Sequence, residues 1–280
     1  MKTRVAVALM FAFSFVGAAH AQVKAGTIIV FQLTQDEFVI AADSRTVFDD
    51  RPPDDTRCKI RALDRQFVVA VSAVPIYVPG LNDVFPVPAW NSTEEAKTIG
   101  QRFISGLPEG STETVNAIAD AWAVDVQSKW IGLNTFYPDR VRTVAGREGG
   151  ILTNGLFAFA QNGQISVAAG LITLGSSGIQ YSRVGLPSCM TEPCATGKTQ
   201  VAGEFIRVTS ERARQEKAHF TASAKLLARA SAATIRVVRL ADLTIAYDNS
   251  GTVHEPIDGL ELFNDGSIRW FSRKDDCPAN

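Results

Sequence analysis

Three short apolar runs rich in β-branched residues crowd the first third of the chain: TIIVFQL at 27–33, FVIAAD at 38–43 and QFVVAVSA at 66–73. Each is continuously apolar rather than alternating, which predicts strands buried on both faces. Gln35-Asp36-Glu37 fits a hairpin turn between the first two. The acidic loop DDRPPDD (49–55) and Lys59-Ile60-Arg61 lead to the third. The period then changes. STEEAKTIGQRFISGL (92–107) places Ile99, Phe103, Ile104 and Leu107 at helical spacing, with Ser92 and Glu95 as a capping box. STETVNAIADAWAVDVQSKW (111–130) predicts a second helix capped by Ser111 or Thr112. Strands return at 150–161, 163–170 and 171–178, followed by a helical region over 201–238 broken near His219. ADLTIAYDN, GLELFND and SIRWFS then predict closing strands joined by Asn-Ser-Gly and Asn-Asp-Gly turns. Doubly buried strands need covers on both sides. The order therefore predicts an α+β fold, a four-layer α-β-β-α sandwich of two facing sheets with a helix pair on each outer side.

The first residues do not belong to that pattern. Lys2 and Arg4 precede the apolar stretch VAVALMFAFSFVGAA, and Ala19-His20-Ala21 follows. This is the layout of a cleavable export signal over residues 1–21. The stretch is shorter than the roughly 20 residues of a spanning helix, and no later segment is long and apolar enough to span a bilayer. The expected location is the periplasm or the exterior, with no membrane attachment after signal removal. A single domain over 27–280 has ample length for one core. Four cysteines in an exported chain point to disulfides. Cys189 and Cys194, in one Pro-containing loop, form the favoured pair, while Cys58 with Cys277 is only what remains.

Several chemistries lack their residues. The net charge is −1, with no basic block, which argues against nucleic acid as a partner. There is no G-x-S-x-G elbow, no S-x-x-K run, no H-E-x-x-H and no C-x-x-C. Beyond the signal only His219 and His254 could serve a triad. No metal or cofactor is expected. Gly197-Lys198-Thr199 imitates the end of a phosphate-binding loop, but Glu192 stands where its first glycine belongs, and no strand is evident before it.

An amide hydrolase can dispense with histidine when its nucleophile is the first residue of the mature chain, because the free α-amine then serves as base. Such an amine titrates at roughly 7.7–8.0, and a neighbouring lysine lowers it by like-charge repulsion. A carboxylate must hold that lysine if it is buried. Thr27 follows Gly26, and Asp43, Arg45 and Lys59 lie 16, 18 and 32 residues beyond it.

With "GT" at 26–27, "AADSR" at 41–45, "KI" at 59–60 and "VAVSA" at 69–73, the chain resembles the proteasome β-subunit group of N-terminal-nucleophile hydrolases, including its simpler bacterial relatives. The resemblance implies Thr27 as nucleophile, Lys59 tuning its amine and Asp43 anchoring Lys59. Arg45 reads as structural support, and the backbone N–H of Ala73 as oxyanion donor at a position the family usually gives a glycine. "LGSSG" at 174–178 is similar to the family's Gly-Ser-Gly turn leading into a helix, making Ser176 the supporting serine. EPIDGLELFNDGSIRW is similar to the C-terminal strand pair of bacterial relatives, although His254-Glu255 stands where they tend to have two glycines. Asp248 is the sole suggestion for a second supporting aspartate. The fold implied is the same α-β-β-α sandwich, and homo-oligomeric rings are common in the family.

Signal cleavage would leave residues 22–26 as a short propeptide, so the expected activation is a second, autocatalytic cut at Gly26–Thr27. The expected activity is that of a threonine-type peptidase, with a peptide or small amide as substrate. The competing expectations are an acylase of the same type acting on small amides, and a non-catalytic exported scaffold with the same fold.

Overall fold

A computed structural model of the 280-residue chain describes residues 23–24, 27–48, 52–63, 66–79, 83–85, 87–106, 114–197, 199–216, 230–274 and 277. The expected export signal over residues 1–21, Gly26 of the expected cut, Ser111, Thr112, Lys198 and His219 lie outside these residues.

The described elements run in this order. Eight strands come first: β1 (Val23–Lys24), β2 (Ile28–Leu33), β3 (Glu37–Ala42), β4 (Val47–Phe48), β5 (Ile60–Leu63), β6 (Phe67–Ala73), β7 (Ile76–Tyr77) and β8 (Trp90–Asn91). Helices α1 (Ser92–Gly106), α2 (Thr114–Phe136) and α3 (Pro138–Arg147) follow, then β9 (Ile151–Gln161), β10 (Gln164–Gly175), β11 (Gly178–Val184) and β12 (Cys194–Gly197). The chain closes with α4 (Thr199–Arg207), α5 (described over 211–216), α6 (Ala232–Tyr247), β13 (Asp258–Phe263) and β14 (Ile268–Ser272).

The protein is α+β, with two antiparallel five-stranded sheets. One has the order β12-β2-β3-β13-β14 and the other β11-β10-β9-β6-β5. The continuous apolar runs are explained by period-two alternation between two buried faces. Ile29, Phe31, Phe38 and Ile40 of the first sheet pack against Ile60, Val68, Ala70 and Leu156 of the second. The alternate residues Ile28, Val30, Val39 and Ala41 pack with Val237, Leu240 and Ala241 of α6. On the far face of the second sheet, Phe67, Val69, Val71 and Phe157 meet Ile118, Trp122 and Val126 of α2. Burial of a large apolar side chain contributes about 1.5–3 kcal/mol, so these three clusters hold the layers together.

Trp122 sets the fit of α2 on its sheet. Gly155 and Gly170 are cross-strand partners beneath it. A Cβ on Gly155 would come 2.8 Å from the Trp122 ring, so the paired glycines open the floor for the indole. Its Nε1 donates to the Ser92 carbonyl at 3.0 Å.

Several sequence expectations are corrected. Asn91, not Ser92, caps α1: its Oδ1 accepts from the N–H groups of Thr93 (3.0 Å) and Glu94 (3.3 Å). Ser92 Oγ instead donates to the Pro75 carbonyl, and Glu95 pairs with Lys129. The runs at 163–170 and 171–178 are not two strands: Gln164–Gly175 form one long strand, β10, and the turn at 176–177 leads into β11 rather than a helix. ADLTIAYDN is the C-terminal half of α6, because Val237, Leu240, Ala241 and Thr244 recur at helical spacing and Ser231 Oγ caps the helix at Thr234 N. The helical region after 199 already breaks at Val208, whose φ is 51°. The stretch before Gly197-Lys198-Thr199 is itself a strand, β12, which ends on Gly197 rather than preceding a phosphate-binding loop.

Both cysteine pairs are closed, Cys189–Cys194 and Cys58–Cys277. Disulfides of this kind suit an oxidising compartment. Among the described residues no helix is long and apolar enough to cross a membrane.

Candidate active site

Thr27 stands immediately before β2, where hairpin β2–β3, strand β12 and the end of β6 converge. Ile28 lies opposite Gly197 in the β2–β12 register. Gly197 has φ +90°, and a Cβ there would fall 1.8 Å from the Thr27 carbonyl oxygen and 3.3 Å from Ser72 Cβ. Only glycine fits that contact. Thr27 is 2% exposed.

The β2–β3 hairpin carries Asp43 back to the same end. Asp43 N donates to the Ile28 carbonyl at 3.2 Å, and Asp43 Oδ1 accepts from Ile28 N at 2.9 Å. The carboxylate therefore grips the peptide that follows Thr27. Its Oδ2 accepts from Arg45 N at 3.1 Å. Lys59, just ahead of β5, donates from Nζ to Asp43 Oδ1 at 3.1 Å and to the Arg45 carbonyl at 2.6 Å. Both side chains are buried, 3% exposed for Lys59 and 0% for Asp43. Removal from water disfavours both charges. Burial pushes the Lys59 ammonium below its ordinary value, with Asp43 opposing the shift and the nearby Lys274 cation adding to it. Burial likewise pushes Asp43 upward against the pull of Lys59 and the Ile28 N–H.

Arg45 points away from this pair. Its Nε and Nη2 bind Asp55 at 2.7 and 2.8 Å, and Nη1 donates to the Gly251 carbonyl at 3.2 Å. It braces two loops against the 43–45 turn. Ala73 ends β6 with φ 64°, in the left-handed region that glycine occupies without cost.

Two expected residues lie elsewhere. Ser176 is exposed in the β10–β11 hairpin turn. Asp248 ends α6, where both carboxylate oxygens accept from Ser250 Oγ. Neither is bonded to Asp43 or Lys59.

Other polar residues of the site escaped the sequence reading. Ser72 Oγ lies 3.3 Å from Thr196 Oγ1, which also accepts from Asn154 Nδ2. Asn154 was detectable, since an asparagine inside an apolar strand is disfavoured without a partner. Lys274 and Asp258 form a second buried pair beside the first, with Nζ 2.7 Å from Asp258 Oδ2, close enough for an ion pair although Oδ2 lacks an aligned hydrogen bond. As for a metal, Cys58, Asp258 and Cys277 are the described residues whose ligand atoms gather within 4.8 Å. Both sulfurs are consumed by their disulfide, and thiolates are what bind metals.

No protein-family model matches this chain, and no curated protein matches it either.

Proposed function

We propose that the chain is an exported threonine-type N-terminal-nucleophile amide hydrolase, most simply a peptidase, with the four-layer α-β-β-α sandwich of the proteasome-like family. The observation that carries this reading is Asp43 Oδ1, which accepts from both the Ile28 peptide N–H and the Lys59 ammonium. It ties a buried lysine to the residue directly after Thr27.

In the proposed activation, Thr27 Oγ1 attacks the Gly26 carbonyl carbon and the Thr27 nitrogen leaves. That departure frees the α-amine, and water then hydrolyses the resulting ester, releasing the 22–26 peptide as its Gly26 carboxylate and regenerating the Thr27 hydroxyl. In turnover the amine takes the Thr27 hydroxyl proton as Oγ1 attacks a substrate carbonyl. Lys59 keeps the amine's proton affinity low, Asp43 holds Lys59, and the Ala73 N–H receives the developing oxyanion. The leaving amine is protonated by the Thr27 ammonium, and water releases the acyl group. Export to the periplasm or exterior separates such an enzyme from ATP-driven unfoldases, which favours peptides or small amides as substrates. Ring formation by identical copies is the assembly this family suggests.

A non-catalytic scaffold is the second reading. It draws on the near-complete burial of Thr27 and on alanine at position 73. Intact-mass analysis with a peptide-hydrolysis assay decides between them. Wild type should begin at Thr27 and hydrolyse peptides, while Thr27→Ala should retain residues 22–26 and be inert. A wild-type chain beginning at Gln22 with full activity would overturn the proposal, and turnover of small amides alone would turn it toward an acylase.

A further inference from the structure

The geometry points to Lys274 as a positioning residue of the proposed hydrolytic site, held there by the Cys58–Cys277 disulfide; the inference rests on the Thr27 reading. Lys274 follows β14 and its side chain is 10% exposed. Nζ donates to Ser44 Oγ at 2.6 Å and to the Arg57 carbonyl at 2.5 Å. Ser44 sits between Asp43 and Arg45, and Arg57 is two residues before Lys59. One ammonium thus pins both backbone segments that deliver the Asp43–Lys59 pair. Ser44 Oγ passes its own proton on, donating to the Pro256 carbonyl.

Asp258 fixes Lys274 at two points. Its Oδ1 accepts from Lys274 N at 3.1 Å, and its Oδ2 faces Nζ. In the β3–β13 register Asp258 lies opposite Ala42, one residue from Asp43. The chain beyond Lys274 is tied as well: Cys277 N donates to the Lys274 carbonyl at 3.0 Å and its sulfur is bonded to Cys58, the neighbour of Lys59. Two lysines and two aspartates are consequently packed into one water-poor cluster. Buried ion pairs are weak contributors to stability, so stability alone does not account for a second pair here. A role for Lys274 in keeping Lys59 placed and low in proton affinity does. Among the described residues, Asp43, Lys274 and Asp258 are charged groups that act on Lys59.

The test follows the Lys59 ammonium by lysine side-chain NMR through a pH titration of the full chain, in parallel with the pH profile of peptide hydrolysis. Lys274→Met should raise the Lys59 midpoint by about one pH unit. Lys274→Arg, which keeps the charge, should leave it near wild type. Asp258→Asn should move it down, the opposite sign, and keeps the test open if Lys274→Met does not fold. The kcat profile should shift with the midpoint while KM holds. An unmoved Lys59 midpoint in the folded Lys274 and Asp258 variants would reduce Lys274 to a structural tie and overturn the inference. Failure of wild type to process or hydrolyse would instead sink the hydrolase reading, and the Lys59 midpoint would still decide whether Lys274 acts on the pair.

Discussion

Gly197 lies so close to Thr27 that a single added carbon would sit 1.8 Å from the threonine's carbonyl oxygen. The obstacle is backbone on both sides, and the glycine also holds φ +90°. Gly197→Ala should therefore cost about 2–4 kcal/mol, combining overpacking with left-handed strain. Chemical denaturation measures the loss, and an unchanged midpoint would contradict the described contact.

Ala73 occupies a left-handed conformation at the end of β6. Ala73→Gly should keep stability within about 1 kcal/mol, since relief of strain offsets the entropy of glycine. Ala73→Val should lose about 2 kcal/mol or more, because a β-branched residue tolerates positive φ poorly. Comparing the two denaturation curves separates conformation from packing.

Lys59 and Asp43 should be strongly coupled. Lys59→Met strands a buried carboxylate and should cost about 3–5 kcal/mol, whereas Lys59→Met with Asp43→Asn should recover much of it. A double-mutant cycle that gave simple additivity would argue against the 3.1 Å pairing.

The same carboxylate carries a pH signature. Burial raises Asp43 above its ordinary 3.8. The folded chain then holds this proton at pH values where the unfolded chain has released it. Stability from this group is greatest below 3.8 and falls as pH rises through the folded value. The stability of wild type relative to Asp43→Asn should decline across that window, as measured by unfolding at a series of pH values.

The two disulfides should differ in weight. Cys58–Cys277 spans 219 residues of sequence and Cys189–Cys194 only 5. On chain-entropy grounds, replacing the first pair by serine should cost about 5 kcal/mol and the second about 2 kcal/mol. Equal losses would indicate that native-state contacts, rather than loop length, set the values.

Legibility followed the range of the interaction. The closeness of Asp43 and Lys59 to each other and to the peptide after Thr27 could be anticipated, because one hairpin and one nearby strand bring them there. Lys274 could not, since its contacts with Ser44 and Arg57 join residues from opposite ends of the sequence. Helix α6 was misread in its second half because Leu243, Thr244 and Ile245 suit either a strand or a helix when taken alone. Its buried face emerges only against Ile28 and Val30. The helix expected after the 174–178 turn was misread, because a Gly-Ser turn fits a hairpin tip equally well.

The Cys58–Cys277 bond also makes most of the protein a closed covalent ring. A protease that cuts once anywhere between the two cysteines opens the ring without splitting the molecule. Nicked and intact chains would have nearly the same mass until the disulfide is reduced, and only then would two fragments part. One surface cut therefore leaves both pieces tethered, with Lys59 and Lys274 still on the same molecule.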